Sequence, residues 1–382
     1  MLEIKVGSTT LQDPCAAAKE AAAGMQNAKL AFLYSSVNND QADLIKCLKS
    51  EMPKAAIVGN TSFTGVITPQ GYISGDYFAG VMTFQGDGFD VGVAGADRGD
   101  CPVDTGEKVA REAMKKAGKA AAPDYFYMVA SPGEEEFFLK GITNVIGRVP
   151  FFGGSAADNT IAGEWKLFTD ELVTANGVAV AFVYTDKAFA NEYTGAYCET
   201  DKVGIITKVT DNRILVEIDG IPAMEKYSQW SGKGVDQLKG MDLLVASICN
   251  PLGVKDRLGD LVAIRHPMDG KDDLSMYIGS NIATNTAVIY MDGSVDKLVS
   301  SAASTLEDLK KKLGDAAGYH LVHCGGRRAG FGERIEEAAE LIKKAAGVTP
   351  FIVEFTFGEY GFEADGNNTC GGLMLSYSAF GK

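Results

Sequence analysis

One order of local signals recurs three times along the chain, and it constrains the fold more than any single motif does. The order is an apolar strand, a polar or glycine-rich turn, an amphipathic helix, a second strand ending in small polar residues, a hairpin, and a closing apolar strand. In the first copy, residues 29–36 read as the strand and Asn38, Asn39 and Asp40 as the turn. Leu44, Ile45, Leu48 and Met52 recur at helical spacing, Pro53 stops the helix, and residues 55–58 run into Gly59-Asn60-Thr61-Ser62. In the second copy, residues 124–130 lead to Ser131, Pro132 and Glu134, which together read as a capping-box helix start. Phe138, Ile142, Val145 and Ile146 form the apolar stripe, and residues 149–152 then meet Gly153-Gly154-Ser155-Ala156-Ala157-Asp158-Asn159. The third copy runs from residues 319–323 through the turn Cys324-Gly325-Gly326-Arg327-Arg328 to a helix burying Ile335, Ala338, Ala339 and Ile342. Its second strand ends at Gly358-Glu359, and Asp365-Gly366-Asn367-Asn368 reads as the hairpin turn.

A helix between two strands makes them parallel, whereas a hairpin adds antiparallel neighbours. The expected fold is therefore α/β (α+β mixed), with repeated strand-helix-strand-hairpin units forming mixed sheets covered by helices. Between the second and third copies lies a differently built stretch. Residues 213–218 read as a strand turning at Asp219-Gly220, Pro222 as the start of a short helix, and residues 243–249 and 261–265 as strands. Val295, Leu298, Val299, Ala302, Leu306, Leu309 and Leu313 define a longer amphipathic helix. Two packed domains are expected, 1–205 and 206–382, with nothing Gly/Ser-rich at the boundary to act as a loose tether.

Charge narrows the function. The chain carries 36 Lys+Arg against 50 Asp+Glu, a formal net charge of −14, so a phosphate-binding surface for nucleic acid is not expected. No apolar stretch approaches the roughly 20 residues of a membrane-spanning helix, and the first residues do not read as a secretory signal. The 7 cysteines are widely spaced, without a CxxC pair, so no metal site is expected. Reduced thiols and a cytoplasmic location are the plain expectation.

Strand ends beside helix N-termini form crevices, because main-chain N–H groups there lack partners and small residues admit a ligand. Each copy places its unusual residues at such an end. The candidate ligand-binding residues are Asn60, Ser62, Gly153, Gly154, Ser155, Asp158, Asn159, Cys324, Gly326, Arg327, Gly358, Glu359 and Asn368. Single members read equally as turn formers. Cys324 reads either as a packed thiol or as a nucleophile. The second role needs a positioned base, yet adjacent His323 should point to the opposite sheet face. Arg327 and Arg328 offer planar forks for a carboxylate, or pair with Glu333, Glu359 or Glu363. Glu359 reads as an amine ligand or a cap. The turn at Gly330-Phe331-Gly332 lacks the full GxGxxG and a Walker lysine, which disfavours nucleotide chemistry.

These motifs, taken in order, resemble the FIST proteins, sensory modules with an N-terminal and a C-terminal FIST domain. Gly59-Asn60-Thr61-Ser62 with Gly65 resembles the family's Gly-Cys-Ser/Thr segment, with Asn60 replacing the common Cys and Val66 the common Glu. Gly153-Gly154-Ser155-Ala156-Ala157-Asp158 resembles its Gly-Gly motif, Asn250-Pro251-Leu252-Gly253 its Asn-Pro loop and Arg265 its strand arginine. Cys324, Gly326 and Arg327 resemble its Cys-x-Gly-Arg turn, and Gly358-Glu359 with Asn367-Asn368-Thr369 its closing pattern, although Gly366 stands where His often occurs. The resemblance implies a small ligand, with amino acids proposed, and a signalling output carried by a separate protein. Haem, bound by some relatives, would need a matching His. The expected function is a soluble sensory protein binding an amino acid or small carboxylate in a cleft between two domains. A cysteine-dependent enzyme using Cys324 and a haem sensor are the alternatives.

Overall fold

The computed structural model describes residues 1–255, 260–362 and 367–382. Glu363 and the first half of the turn read at residues 365–368 lie outside the described residues. Each copy builds a mixed sheet in the same strand order. In the first sheet the order is Leu2–Thr9, Ala79–Gly86, Ala28–Ser35 and Ala56–Thr61, with the last two parallel. The second sheet runs Phe89–Asp97, Gly177–Thr185, Tyr125–Ala130 and Phe151–Ser155, and the third Phe189–Thr194, Leu375–Gly381, Ala316–Cys324 and Phe351–Thr356. Both repeat the single parallel pair at the same place. Mixed sheets with helices outside are as expected.

The hairpins were expected to complete their own copies' sheets, and they do not. The first copy's hairpin, Gly65–Thr68 with Gly71–Ser74, pairs with Phe351–Thr356 of the third sheet. The second copy's strand Leu167–Thr169 pairs with Ala56–Thr61 of the first sheet. The third copy's strand Glu359–Gly361 pairs with Phe151–Ser155 of the second. Each sheet therefore has its second parallel strand covered by a hairpin from another copy, which leaves none of those edges open. Strands of two to four residues carry too little side-chain pattern to name a partner.

The three sheets face one another around a shared apolar core. Phe32, Tyr127, Phe152 and Phe380 meet there with ring centroids 5–6 Å apart, for example 5.1 Å for Phe32–Tyr127 and 5.7 Å for Phe152–Phe380. Burial of each ring contributes on the order of 1.5–3 kcal/mol. A polar knot crosses the middle of this core. Tyr34 Oη bonds His320 Nε2 at 2.5 Å, and Tyr127 donates to Asn60 Oδ1 at 2.9 Å and Glu354 Oε1 at 3.3 Å. Burial pushes the Glu354 carboxyl up to about 8 and the His320 imidazole down to about 3. Helices coat the outer faces: Pro14–Ala21 and Gln41–Glu51, Pro102–Lys116 and Glu135–Ile146, and Val295–Leu313 with Ile335–Ala346.

The stretch between the second and third copies folds as a fourth sheet with its own core of Ile206, Leu215, Ile218, Met224, Tyr227, Trp230 and Met276. It enters the third copy between strand Phe189–Thr194 and helix Val295–Leu313. Residue 205 lies inside the strand Cys198–Thr210 of that sheet.

Three local expectations are corrected. Residues 243–249 were read as a strand, but the helix Asp242–Ser247 occupies most of them, burying Leu243 and Leu244 while Val245 is exposed. A short apolar run does not distinguish the two periods. The second-copy helix starts at Glu135 without a side-chain cap. Ser131 Oγ instead accepts the Gly177 N–H at 3.1 Å. Cys15 and Cys47, expected as thiols, form a disulfide between the first copy's two helices, while Cys101, Cys198, Cys249, Cys324 and Cys370 are free.

Candidate functional site

The candidate residues divide by location. Several are consumed in joining the copies. Asn60 lies in the central knot. Ser62 Oγ donates to Gly65 O at 2.7 Å and accepts the Phe355 N–H at 2.9 Å, pinning the first hairpin to the third sheet. Asn159 Oδ1 accepts the Thr64 N–H at 2.9 Å. Gly153 and Gly154 permit close strand contact, since a Cβ at either would lie 1.9 Å from Met128 O or 2.6 Å from Gly358 O. Asp158 is fully buried, and its carboxylate accepts main-chain N–H groups from Thr160, Ile161, Ala162, Gly163 and Glu164. It has no capacity left for a ligand amine.

Arg327 is likewise committed to internal partners, with its Nε unpartnered among the described residues. It sits in the helix Gly325–Phe331, which replaces the expected glycine turn, and points away from Gly326 into the packing under helix Val295–Leu313. Its guanidinium donates to Gly195 O at 2.6 Å, Leu298 O at 3.3 Å and Ser301 Oγ, and lies over the Tyr197 ring. Arg328 donates to Tyr72 Oη at 3.1 Å. Glu359 accepts from Thr356 Oγ1 and from the Met374 N–H, both at 2.9 Å, and burial pushes it up to about 8. The residues expected to clamp a carboxylate and an amine are thus internal supports.

Among the hollows where residues from before and after position 205 meet, two include residues from the sequence-predicted set. The first is an apolar cavity of about 180 Å³, whose wall includes Cys324 and Gly326 together with Phe63, Trp165, Phe357 and His266. Cys324 Sγ accepts the N–H groups of Gly326 at 3.3 Å and Leu373 at 3.2 Å. Burial, with Glu359 nearby, pushes its thiol well above the ordinary range, so the thiolate a nucleophile needs is disfavoured. His323 packs against Phe331 and Phe355, away from the cavity, as its register predicts. His266 Nε2 is within 3.2 Å of Leu244 O, and burial lowers its pKa to about 4, leaving it neutral. A volume that suits one small ring does not admit a porphyrin, so these residues do not fit haem.

The second hollow is a polar cleft of about 380 Å³ bordered by Glu136, Lys140, Arg148, Arg265, Asn281 and Asn368. Arg265 is half-buried and gives its hydrogen bonds to main-chain carbonyls of Asn281 at 3.0 Å, Ile264 at 3.2 Å and Cys370 at 3.3 Å. No carboxylate pairs directly with it among the described residues, and burial lowers its pKa. Arg148 stacks over Phe362, 4.5 Å from the ring centroid. Asn368 Nδ2 donates to Val149 O at 3.0 Å, and its buried Oδ1 is unpartnered among the described residues.

An ion cluster divides the hollows. Arg213 is 6% exposed and bonds Glu135 at 2.6 Å, Glu136 at 2.8 Å, Asn281 Oδ1 at 3.1 Å and Gly279 O at 2.9 Å. Burial would lower the Arg213 pKa, but the two carboxylates more than reverse it. Ser155 donates to Glu135 at 2.9 Å and contacts Tyr360 Oη at 2.7 Å, so it supports this cluster from behind without lining either hollow. Arg213, Glu135, Glu136 and Asn281 were absent from the sequence-level candidates. Glu135 and Glu136 follow the capping-box residue Glu134, and in the sequence alone they read as complementing the positive end of a helix.

The described residues hold no helix long and apolar enough to cross a membrane, and no cluster of metal-ligating side chains. Comparison with known proteins adds the family. No curated protein matches the chain. Among solved structures it is similar to a cyanuric acid hydrolase from A. caulinodans, with 11% identity, 100% of both chains covered and a TM-score of 0.40. It is also similar to phosphoribosylformylglycinamidine synthase II from Thermotoga maritima, with 10% identity, 100% of this chain and 72% of that chain covered, and a TM-score of 0.22. Likenesses this remote carry no argument about chemistry. The FIST N domain matches residues 29–221 and the FIST C domain residues 223–361, most of the length, with the division inside the fourth sheet. The chain belongs to the FIST family of small-ligand sensor domains.

Proposed function

We propose that this protein senses a small carboxylate, an amino acid in particular, in the polar cleft between its two halves. The observation that carries the reading is Arg265, a half-buried guanidinium at the cleft whose direct partners among the described residues are main-chain carbonyls. A planar fork in that setting favours a carboxylate. Lys140 and Arg148 add positive charge in a chain of net charge −14, and Glu136 is already engaged by Arg213. Asn368 Oδ1, unpartnered among the described residues, is an acceptor suited to a ligand N–H, as an amino acid's ammonium supplies. A ligand touching both helix Glu135–Ile146 and the fourth sheet would bias their arrangement, which a separate output protein would read. A cytoplasmic location is part of this proposal: five cysteines are free, although the Cys15–Cys47 disulfide is a bond more usual in oxidising compartments.

The test is thermal denaturation across a panel of L-amino acids and small carboxylates, for the wild type and Arg265→Gln. A ligand at roughly 100 times its Kd stabilises by about 2.7 kcal/mol, and Arg265→Gln should abolish that gain. Stabilisation by no member of the panel, or stabilisation unchanged in Arg265→Gln, refutes the assignment.

A further inference from the structure

We propose that the partly open apolar cavity is a second ligand site, built for a neutral molecule with a single aromatic ring. Its volume of about 180 Å³ is of the size that accepts one benzene-like ring. Phe63, Trp165 and Phe357 form a connected aromatic wall, with centroids 5.7 Å apart for Phe63–Phe357 and 6.1 Å for Trp165–Phe357. Such rings offer a guest face and edge contacts, and Met268 adds a polarizable sulfur.

The charges there exclude an ion. Arg213 reaches the wall, but its charge is met by Glu135 and Glu136, which do not line the cavity, and Asn281 Oδ1 and Gly279 O accept two further bonds from it. His266 and the Cys324 thiol are neutral. An ionic guest would lose its hydration without gaining a counter-charge.

Strain at the rim points the same way. Ile161 lines the cavity with φ of 59°, a left-handed conformation costly for a β-branched residue. Such positions cost on the order of 1–3 kcal/mol and persist where the surroundings impose them. Here the imposing group is the buried Asp158 carboxylate, which gathers five successive N–H groups and holds Ile161 and the neighbouring Trp165 in the wall. The wall draws Phe63, Ile161 and Trp165 from the FIST N domain and Leu244, Met268 and Phe357 from the FIST C domain, so a bound ring touches both.

The probe is p-cresol, titrated calorimetrically and by Trp165 emission. The wild type should bind one equivalent saturably, and the emission change should vanish in Trp165→Phe, which leaves only the distant Trp230 of the fourth sheet. A Cβ at Gly279 meets only ordinary contacts, 3.4 Å from Met268 at the nearest, so Gly279→Val fills the cavity and should weaken binding roughly tenfold or more. Arg265→Gln should leave p-cresol binding unchanged, which separates this site from the polar cleft. No saturable binding up to the solubility of p-cresol, or binding that Gly279→Val leaves intact, overturns the proposal. Should Gly279→Val fold poorly, binding without a change in Trp165 emission overturns it equally.

Discussion

Arg213→Met tests whether the ion cluster between the two hollows fastens the halves of the molecule. The substitution keeps most of the aliphatic stem and removes a guanidinium that bonds two carboxylates, a side-chain amide and a main-chain carbonyl. Glu135 is 3% exposed, so its charge is left buried with hydrogen bonds from Ser155 Oγ and the Gly133 N–H, and with the repelling Glu136 carboxylate beside it. Breaking a buried pair from one side costs about 3–5 kcal/mol. Because the four bonds share one group, their losses do not add, and we expect the net change to stay within that range. Burial already raises the Glu135 pKa against the pull of Arg213. A raised carboxylate contributes its stability below the ordinary carboxyl range and loses it as pH rises through the raised value. The variant should therefore lose less at mildly acidic pH than at mildly alkaline pH. Urea denaturation at both pH values is the assay, with Arg213→Met/Glu135→Gln/Glu136→Gln as the companion. If the reasoning holds, neutralising the carboxylates recovers roughly half of the loss or more. A loss under about 1 kcal/mol for the single variant, as for an exposed pair, or no recovery in the companion, would refute it.

Two further outcomes follow from buried groups. With the Glu354 and Glu359 carboxyls both at about 8, wild-type stability should decline as pH rises from the ordinary carboxyl range through that value, and Glu354→Gln should make the decline shallower, leaving the part that Glu359 carries, in pH-dependent denaturation. A variant declining as steeply as the wild type would show that Glu354 does not ionise there. Arg327→Ala should destabilise by about 3 kcal/mol, since it strands buried acceptors at Gly195, Leu298 and Ser301, yet leave small-carboxylate affinity unchanged. A selective loss of affinity in a stably folded Arg327→Ala would return that residue to the ligand site.

Much of the fold is legible because it is local. The three copies, the helix Gln41–Glu51 from Leu44, Ile45 and Leu48, and the helix Ile335–Ala346 ending at Gly347 all follow from apolar spacing and stop residues. The site was less so. Cys324 and Gly326 line one hollow and Asn368 the other, but Asp158, Arg327 and Glu359 turn their polar groups inward. Their residue types suit a ligand and an internal support equally, and only the arrangement of partners distinguishes the two.

By itself the sequence determined the repeated unit, the mixed sheets and the family. These depend on periodicity, turn chemistry and motif order, all properties of neighbours along the chain. Tertiary structure alone decided that the hairpins pass from copy to copy, that Arg213 meets Glu135 and Glu136, and that an aromatic hollow and a cationic cleft lie on either side of them. Those outcomes join residues scores of positions apart, where a short strand or a single charge has many eligible partners and only packing of the whole chain selects one.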